Sequence, residues 1–281
     1  MKYALCNELF ETRNAGSGFD FPRVFDYIKQ TGYDGAEIAP FTMAATVQAV
    51  DTSQRTAVRR AAEHAGLTIT GLHWLLAKTE GYYLTSPDAE VRKRTADYFV
   101  QLVQLCADLG GQFMVLGSPK QRNLLPSVSQ EQAFDYAAEV LSRVVPALEK
   151  YNVKIAVEPL ARKETDFLTT AAETVQLIER IGVPRHIALH LDCKAMSDES
   201  VPIPELIQQN KEHLIYFHAN DPNLQGPGFG TLDFAPILQA LRDVEYNGWV
   251  SVEVFDYSLG VNVLAEKSLD YLKSVDASAG V

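Results

Sequence analysis

The sequence has few cysteines, no long hydrophobic run and no recognisable leader segment. Its three cysteines, Cys6, Cys106 and Cys193, are too few and too widely spaced for a disulfide framework or a cysteine-rich zinc site. No apolar run approaches the roughly 18 residues needed to span a bilayer, and the opening residues MKYALCNELFETR turn acidic too early for a signal peptide. We therefore expect a cytoplasmic protein without membrane association.

Positive charge is also scarce. The 281 residues include 25 Lys and Arg against 36 Asp and Glu, which gives a formal net charge of −11. A chain this acidic has no overall attraction for a phosphate backbone, so nucleic acid is a poor candidate partner. The composition, 47% hydrophobic and 22% charged, is that of an ordinary globular protein and argues against a disordered chain or a coiled coil.

Short apolar segments alternate with longer segments of helical periodicity along the whole chain. The apolar segments lack strict polar alternation, which predicts strands buried on both faces. The predicted strands are Tyr3–Leu9, Gly35–Ile38, Leu67–Leu75, Phe113–Gly117, Val153–Leu160, Ile187–Leu191, Leu214–His218 and Val250–Phe255. The predicted helices are Phe21–Thr31, 87–109, Ala133–Tyr151, Ala171–Ile181, Ile203–His213, Phe234–Asp243 and Leu264–Leu272.

Local signals mark the ends of some of these helices. Ser86 followed by Pro87 predicts the start of the helix at 87–109. Glycines predict helix ends at four positions, which are Gly66, Gly110, Gly182 and Gly248.

Eight predicted strands that alternate with helical segments in a chain of this length predict a single (β/α)8 TIM barrel domain that spans residues 1–281. A doubly wound open sheet is the alternative, but no G-x-G-x-x-G follows the first strand. In a (β/α)8 barrel the active site lies at the carboxyl ends of the strands. Polar residues at those ends are therefore the candidates for chemistry.

The last four predicted strands each end in a potential metal ligand, namely Glu158, Asp192, His218 and Glu253. One acidic residue at a strand end is commonly a loop cap, but four ligands on successive strands are hard to reach by chance. Three converging carboxylates would repel one another without a cation. Oxygen ligands with one imidazole favour Mn²⁺ or Mg²⁺, with Zn²⁺ or Co²⁺ as alternatives. The pattern predicts one divalent metal ion.

Further polar residues near strand ends are candidates for substrate binding. They are His73, Trp74, Arg162, Glu164 and Lys194. For His73 a buried structural role is equally open. His190 precedes Asp192 by two positions and is expected one layer deeper, in the core or behind the ligands.

These residues resemble the xylose-isomerase-like TIM barrels, in particular the sugar isomerase and epimerase branch with ketose 3-epimerases and hydroxypyruvate isomerases. The resemblance is strongest from Val153 to Asp256. It implies metal binding by the Glu, Asp, His, Glu set above and substrate contact by Glu164, six residues after the first ligand. Two substrate-holding residues of the ketose epimerases are absent, because Ala195 replaces a His and Leu224 replaces an Arg.

The resemblance implies an isomerase or epimerase of a ketose or related small sugar, with or without a phosphate. A metal-stabilised enediolate would form, with Glu158 and Glu253 as catalytic acid and base. Lys194 is a candidate to replace the missing His. A sugar or inositol dehydratase and a non-catalytic sugar-binding barrel are the alternatives, whereas the abasic-site DNA-repair branch needs more metal ligands than this chain offers. A homo-oligomer is expected by analogy alone.

Overall fold

The computed structural model describes residues 1–13 and 19–278, and its strands form one closed parallel barrel in chain order. Each strand pairs with the next, and the first pairs with the last through registers such as Lys2 with Trp249. The predicted (β/α)8 barrel is confirmed. The strands are β1 (Lys2–Cys6), β2 (Gly35–Ile38), β3 (Thr68–Leu72), β4 (Phe113–Leu116), β5 (Lys154–Val157), β6 (Ile187–Asp192), β7 (Leu214–Ala219) and β8 (Trp249–Val252).

Helices follow the strands and cover the outside of the barrel. In the described part of the chain they are α1 (Phe21–Thr31), α2 (Thr52–Ala65), α3 (Ala89–Leu109), α4 (Gln130–Tyr151), α5 (Ala171–Ile181), α6 (Cys193–Met196), α7 (Ile203–Gln209), α8 (Phe234–Asp243) and α9 (Val261–Ser278). Sequence periodicity missed α2, because only Val58 and Ala62 of its fourteen residues are buried. No helix within residues 1–13 and 19–278 combines the length and hydropathy of a membrane span.

Several predicted boundaries are wrong for local reasons. The first strand ends at Cys6, and the chain continues as a 3₁₀ helix over Asn7–Arg13. The helix expected from 87 begins at Ala89, because the Asp88 side chain, rather than Ser86, accepts the hydrogen bond of the first turn.

Three of the four helix ends predicted from glycines are confirmed. Gly66, Gly110 and Gly182 end their helices in the left-handed conformation, as expected. Gly248 does not, since α8 already ends at Asp243.

The protein has two separate hydrophobic clusters. The main hydrophobic core lies between strands and helices, and a second apolar cluster of Val115, Ala156 and Tyr216 is separate from it. The Tyr216 hydroxyl donates to Glu37 at 2.9 Å and contacts Thr70 at 2.8 Å, so it spans the lumen from β7 to β2 and β3. Toward the mouth, the carboxylates of Glu158 and Glu253 lie among apolar and polar side chains.

One close approach between strands depends on a glycine. Gly71 in β3 pairs with Phe113 in β4, and a Cβ at Gly71 would lie 1.8 Å from the Phe113 carbonyl oxygen. The obstacle is backbone, so it has no rotamer by which to move away. β3 leads directly into His73 and Trp74 at the barrel mouth.

We predict that Gly71→Ala lowers the free energy of unfolding by about 3 kcal/mol, because the added methyl group forces β3 and β4 apart. Gly81→Ala is the control, since no atom lies within 4 Å of its Cβ position and only its positive φ is unfavourable. That variant should lose about 1 kcal/mol. Chemical denaturation measures both, and equal losses would contradict the steric explanation.

Candidate active site

The four predicted metal ligands lie at the carboxyl ends of their strands and share one mouth of the barrel. Glu158 directly follows β5, Asp192 ends β6, His218 lies in β7 and Glu253 directly follows β8. All four are buried. Ligand atoms of Glu158, Asp192, His218 and also His190 lie within 4.8 Å of one another. Glu253 joins this group through its Oε2, which is 3.1 Å from Nδ1 of His218.

Hydrogen bonds fix the orientation of the Asp192 carboxylate. Its Oδ1 accepts from the backbone N–H of Ala195 at 2.8 Å, and its Oδ2 accepts from the amide of Asn220 at 2.5 Å. Asp192 therefore also caps the short helix α6. Asn220 in turn accepts from the backbone N–H of Lys194, which ties the ends of β6 and β7 together.

The two glutamates are held by different means. The Trp74 indole donates to Glu253 Oε1 at 2.9 Å. The Glu158 carboxylate lies against Gly117, where a Cβ would be 1.8 Å from Oε2. The buried Arg122 guanidinium donates to the Glu158 carbonyl oxygen at 2.8 Å, so the backbone at this ligand is fixed as well.

Glu37 holds the far side of His218 and was missed by the sequence analysis. Its Oε2 lies 3.0 Å from Nε2 of His218, and both side chains are buried. Burial alone would raise the pKa of Glu37, but the charge of His218 and its hydrogen bond bring that pKa well below its usual value. The available signal was a single charged residue inside the buried strand GAEI.

A second imidazole–carboxylate pair lies beside the first. His73 Nε2 is 2.6 Å from Oε2 of Glu8, and both side chains are buried. The other nitrogen, Nδ1, is 3.7 Å from Glu37 Oε1. His73 is thus held by the Glu8 carboxylate and lies close to a second one, and Glu8 is a further residue that sequence analysis missed.

The buried carboxylates are electrostatically unfavourable without a cation. Burial, together with the charges of Asp192 and Glu253, raises the pKa of Glu158 well above its usual value. Burial also raises the pKa of Asp192, helped by Glu253. His190 is fully buried, and neither ring nitrogen has a hydrogen-bond partner among the described residues. The carboxylates here lack compensating positive charge, and the His190 nitrogens lack hydrogen-bond partners. Such a group of buried oxygen and nitrogen ligands fits a divalent metal ion.

A small inner cavity of about 60 Å³ opens beside these side chains. Four of the five predicted substrate residues line it together with both glutamates; the complete lining is His73, Trp74, Val115, Gly117, Ser118, Pro119, Glu158, Leu160, Glu164, Lys194, Glu253 and Phe255. Lys194 donates to Glu164 Oε1 at 2.7 Å, and its ammonium lies 4.3 Å from the centre of the Phe255 ring. The wall thus offers a charged pair to substrate oxygens.

Arg162 is the predicted substrate residue that the structure does not bring to this cavity. Its side chain is exposed, and its backbone N–H and guanidinium both face Asp198. The turn after β5 directs Glu164 toward the cavity and Arg162 toward solvent. A substrate contact by Arg162 has no support from its position.

Comparison with known proteins identifies the class. The chain belongs to the family described as Xylose isomerase-like TIM barrel, whose model matches residues 10–275. Relatives include a D-psicose 3-epimerase of Enterocloster bolteae, 26% identical over 84% of this chain and 77% of its own length. A 3-dehydro-D-guloside 4-epimerase of Escherichia coli is 24% identical over 82% and 85%.

A solved structure extends the likeness of fold to nearly the whole chain. The D-psicose 3-epimerase of Clostridium cellulolyticum, solved with D-tagatose, has a TM-score of 0.85 at 21% identity and covers 98% of this chain and 99% of its own. The resemblance noted from the sequence is confirmed. So is the prediction of an enzyme of the sugar isomerase and epimerase class, because the named relatives are sugar epimerases.

We predict that Glu158→Gln stabilises the chelator-treated protein by about 1–2 kcal/mol at neutral pH. The raised pKa of Glu158 means that the folded state binds its proton more tightly than the unfolded state does. Stability is then lost as the pH rises above the unfolded value of about 4.3. Urea denaturation between about pH 5 and pH 8 should show the advantage of Glu158→Gln growing with pH.

The control for that experiment is Glu205→Gln, which changes an exposed glutamate of α7. It should follow the wild-type pH dependence. A difference between wild type and Glu158→Gln that stays constant with pH would contradict charge crowding at Glu158.

Proposed function

We propose that this protein is a metal-dependent epimerase or isomerase that moves a proton at the carbon next to a sugar carbonyl. The observation that carries the proposal is the placement of two glutamates, Glu158 and Glu253, on the wall of one inner cavity at the barrel mouth. They come from β5 and β8, three strands apart around the barrel. One proton can thus be removed from a bound carbon and another returned to it.

The residues that would hold the metal ion are Glu158, Asp192, His218 and Glu253. Mn²⁺ or Mg²⁺ suits this oxygen-rich set best. Zn²⁺ and Co²⁺ are alternatives, because His190 would add a second imidazole beside the same ligands. When bound, the ion would supply positive charge against the negative charge that develops on the substrate oxygens. Glu37 holds the His218 ring, and Asn220 holds Asp192, so the protein keeps these ligands in place.

The glutamates are oriented for proton transfer by their neighbours. Glu253 has Oε1 held by the Trp74 indole, and Oε2 faces His218. Glu158 is packed against Gly117, at the wall of the cavity. We assign one of them to removal of the proton and the other to its return, and we assign substrate oxygens to Lys194 and Glu164, whose charged groups line the same cavity.

The relatives support a carbonyl sugar as substrate. One is named for epimerisation of D-psicose at carbon 3 and another for epimerisation of a dehydro-guloside at carbon 4. Both names describe inversion at a carbon that bears hydrogen, which is the step that two glutamates on one cavity perform. Product analysis separates this reaction from dehydration, which would release water from the same starting sugar.

We predict that Glu158→Gln and Glu253→Gln each lower the exchange of a carbon-bound substrate hydrogen with D₂O by about a thousandfold, because an amide neither accepts nor returns the proton. Deuterium incorporation followed by NMR, over a panel of ketoses and keto-sugars with metal present, measures this. Glu205→Gln should keep the wild-type rate. A near-normal rate in either glutamate variant would remove that residue from the mechanism.

We predict that Mn²⁺ added at about 100 times its Kd to chelator-treated protein raises the Tm by about 5 °C, because the ion binds only the folded state. Asp192→Asn should lose most of this shift, since it removes a ligand charge while keeping the side chain's shape. Differential scanning calorimetry measures both without reference to activity. An unchanged Tm for the wild type would argue against a divalent-ion site.

A further inference from the structure

His190 is a buried histidine whose ring lies beside the predicted metal ligands. It precedes Asp192 by two residues on β6, so both side chains lie on the same face of the strand. The pairing of β6 with β7 shifts in register between Leu189 and His190, and after the shift His190 lies opposite Tyr216 and Asp192 lies opposite His218. Irregularities of this kind redirect side chains next to functional sites. The strand pairing therefore brings His190 to the same part of the barrel interior as the ligands.

The position of Nε2 suits a ligand of the same ion. This nitrogen lies 4.0 Å from Oε1 of Glu158. Two atoms that each lie about 2.1 Å from one ion are between about 3 Å and about 4.2 Å apart, at neighbouring or opposite corners of an octahedron. The group of ligand atoms that includes His190, Glu158, Asp192 and His218 lies within 4.8 Å overall. Small side-chain adjustments would let all four reach one ion.

His190 lacks the partners that a structural histidine in a protein core normally has. Its ring is fully buried, and neither nitrogen makes a hydrogen bond within the described residues. Its nearest ring is that of His218, with centroids 4.3 Å apart, and this contact supplies no acceptor for an N–H group. A buried polar group without a partner is destabilising, and native proteins contain few of them. A cation bound at Nε2 would satisfy one of the two nitrogens.

The imidazole of His190 is uncharged in this setting. Burial, helped by the charge of His218, keeps the pKa of His190 well below its usual value, and the main chain of Tyr216 offsets only part of this effect. An uncharged ring gives Glu158 and Asp192 no compensating charge. It is, however, the form that binds metal ions, because a nitrogen lone pair is free. With the proton on Nδ1, Nε2 can bind an ion without releasing a proton.

A second imidazole changes which ions the site prefers. Mg²⁺ favours oxygen ligands and keeps several of its own waters, whereas Co²⁺ and Zn²⁺ bind imidazole readily. With His218 as the one imidazole, the predicted ligand set contains one nitrogen and three carboxylates. With His190 included, it contains two nitrogens, and the advantage of Co²⁺ and Zn²⁺ over Mg²⁺ increases.

We propose that His190 is a fifth ligand of the divalent ion, through Nε2, and that it makes the site favour Co²⁺ or Zn²⁺ over Mg²⁺. This inference rests on the metal site of the function proposed above. It adds a ligand that the sequence pattern placed behind the others, and it narrows the choice of ion.

The first test measures metal binding without reference to activity. Titration calorimetry gives the Kd of Co²⁺ and of Mg²⁺ for chelator-treated wild type and for His190→Leu, which keeps a side chain of similar size but removes both nitrogens. We expect His190→Leu to weaken Co²⁺ binding by about a hundredfold and Mg²⁺ binding by less than about threefold. His64→Leu, which removes an exposed imidazole on α2, is the control and should bind both ions as the wild type does. Equal losses for the two ions, or no loss for Co²⁺, would overturn the proposal.

Thermal unfolding gives a second readout. In chelator-treated protein, His190→Leu should raise the Tm by about 3 °C, because it removes two buried nitrogens that lack partners. Saturating Co²⁺ should then raise the Tm of the variant by less than it raises that of the wild type. A purely structural histidine would instead give a lower Tm in the variant, with the shift caused by Co²⁺ unchanged.

A third measurement detects the ligand directly and does not require a variant. Pulsed EPR of the Mn²⁺-loaded wild type should show coupling to nitrogens of two imidazoles, and the same experiment on His190→Leu should show one. If His190→Leu does not fold, His190→Asn removes Nε2 while keeping a polar side chain. Coupling to one imidazole in the wild type would overturn the fifth ligand.

The outcomes separate this inference from the proposed function. Co²⁺ binding that depends on His190, without exchange of carbon-bound substrate hydrogen, would support the fifth ligand and count against the epimerase. Exchange activity together with unchanged Co²⁺ affinity in His190→Leu would support the epimerase and overturn the fifth ligand. A wild type that binds no divalent ion would overturn both.

Discussion

The structure is organised around buried like charges that meet at one end of the barrel. Glu158, Asp192 and Glu253 lie close together below the surface, and the pKa of the first two is raised by burial and by mutual repulsion. Proteins tolerate such an arrangement only where a cation or a proton compensates for it. The parallel barrel places the ends of successive strands side by side, and this geometry brings together residues that are nearly a hundred positions apart in the chain.

The polar layer beneath the mouth keeps that arrangement rigid. Glu37 contacts His218, the Tyr216 hydroxyl and the Nδ1 side of His73, and these contacts connect β2 with β7 and β3 across the lumen. Because the pKa of Glu37 is lowered, the group stays an anion and an acceptor. His218 is thereby held at Nε2 by Glu37, while its Nδ1 faces Glu253 at the site. The barrel interior thus supports the site electrostatically as well as sterically.

Much of this was predictable from the sequence, for an identifiable reason. The ends of the apolar runs indicated Glu158, Asp192, His218 and Glu253, because a strand's buried residues reveal where its carboxyl end lies. Glu37 and Glu8 were not predicted, because their partners His218 and His73 lie far away in the sequence. No local sequence pattern indicates such a contact. Arg162 lies away from the cavity, because proximity to a strand end does not fix the direction of a side chain in the turn that follows.

The Trp74 side chain has two roles at the barrel mouth. One indole both donates a hydrogen bond to Glu253 and lines the inner cavity together with a second cavity beside it, whose wall includes Phe41 and Tyr257. It does so from a backbone with φ of 53°, a conformation that leaves a bulky residue little freedom to readjust. A ligand that displaced this ring would break the hydrogen bond that orients the Glu253 carboxylate, so binding at the edge of the site and chemistry at its centre share one side chain.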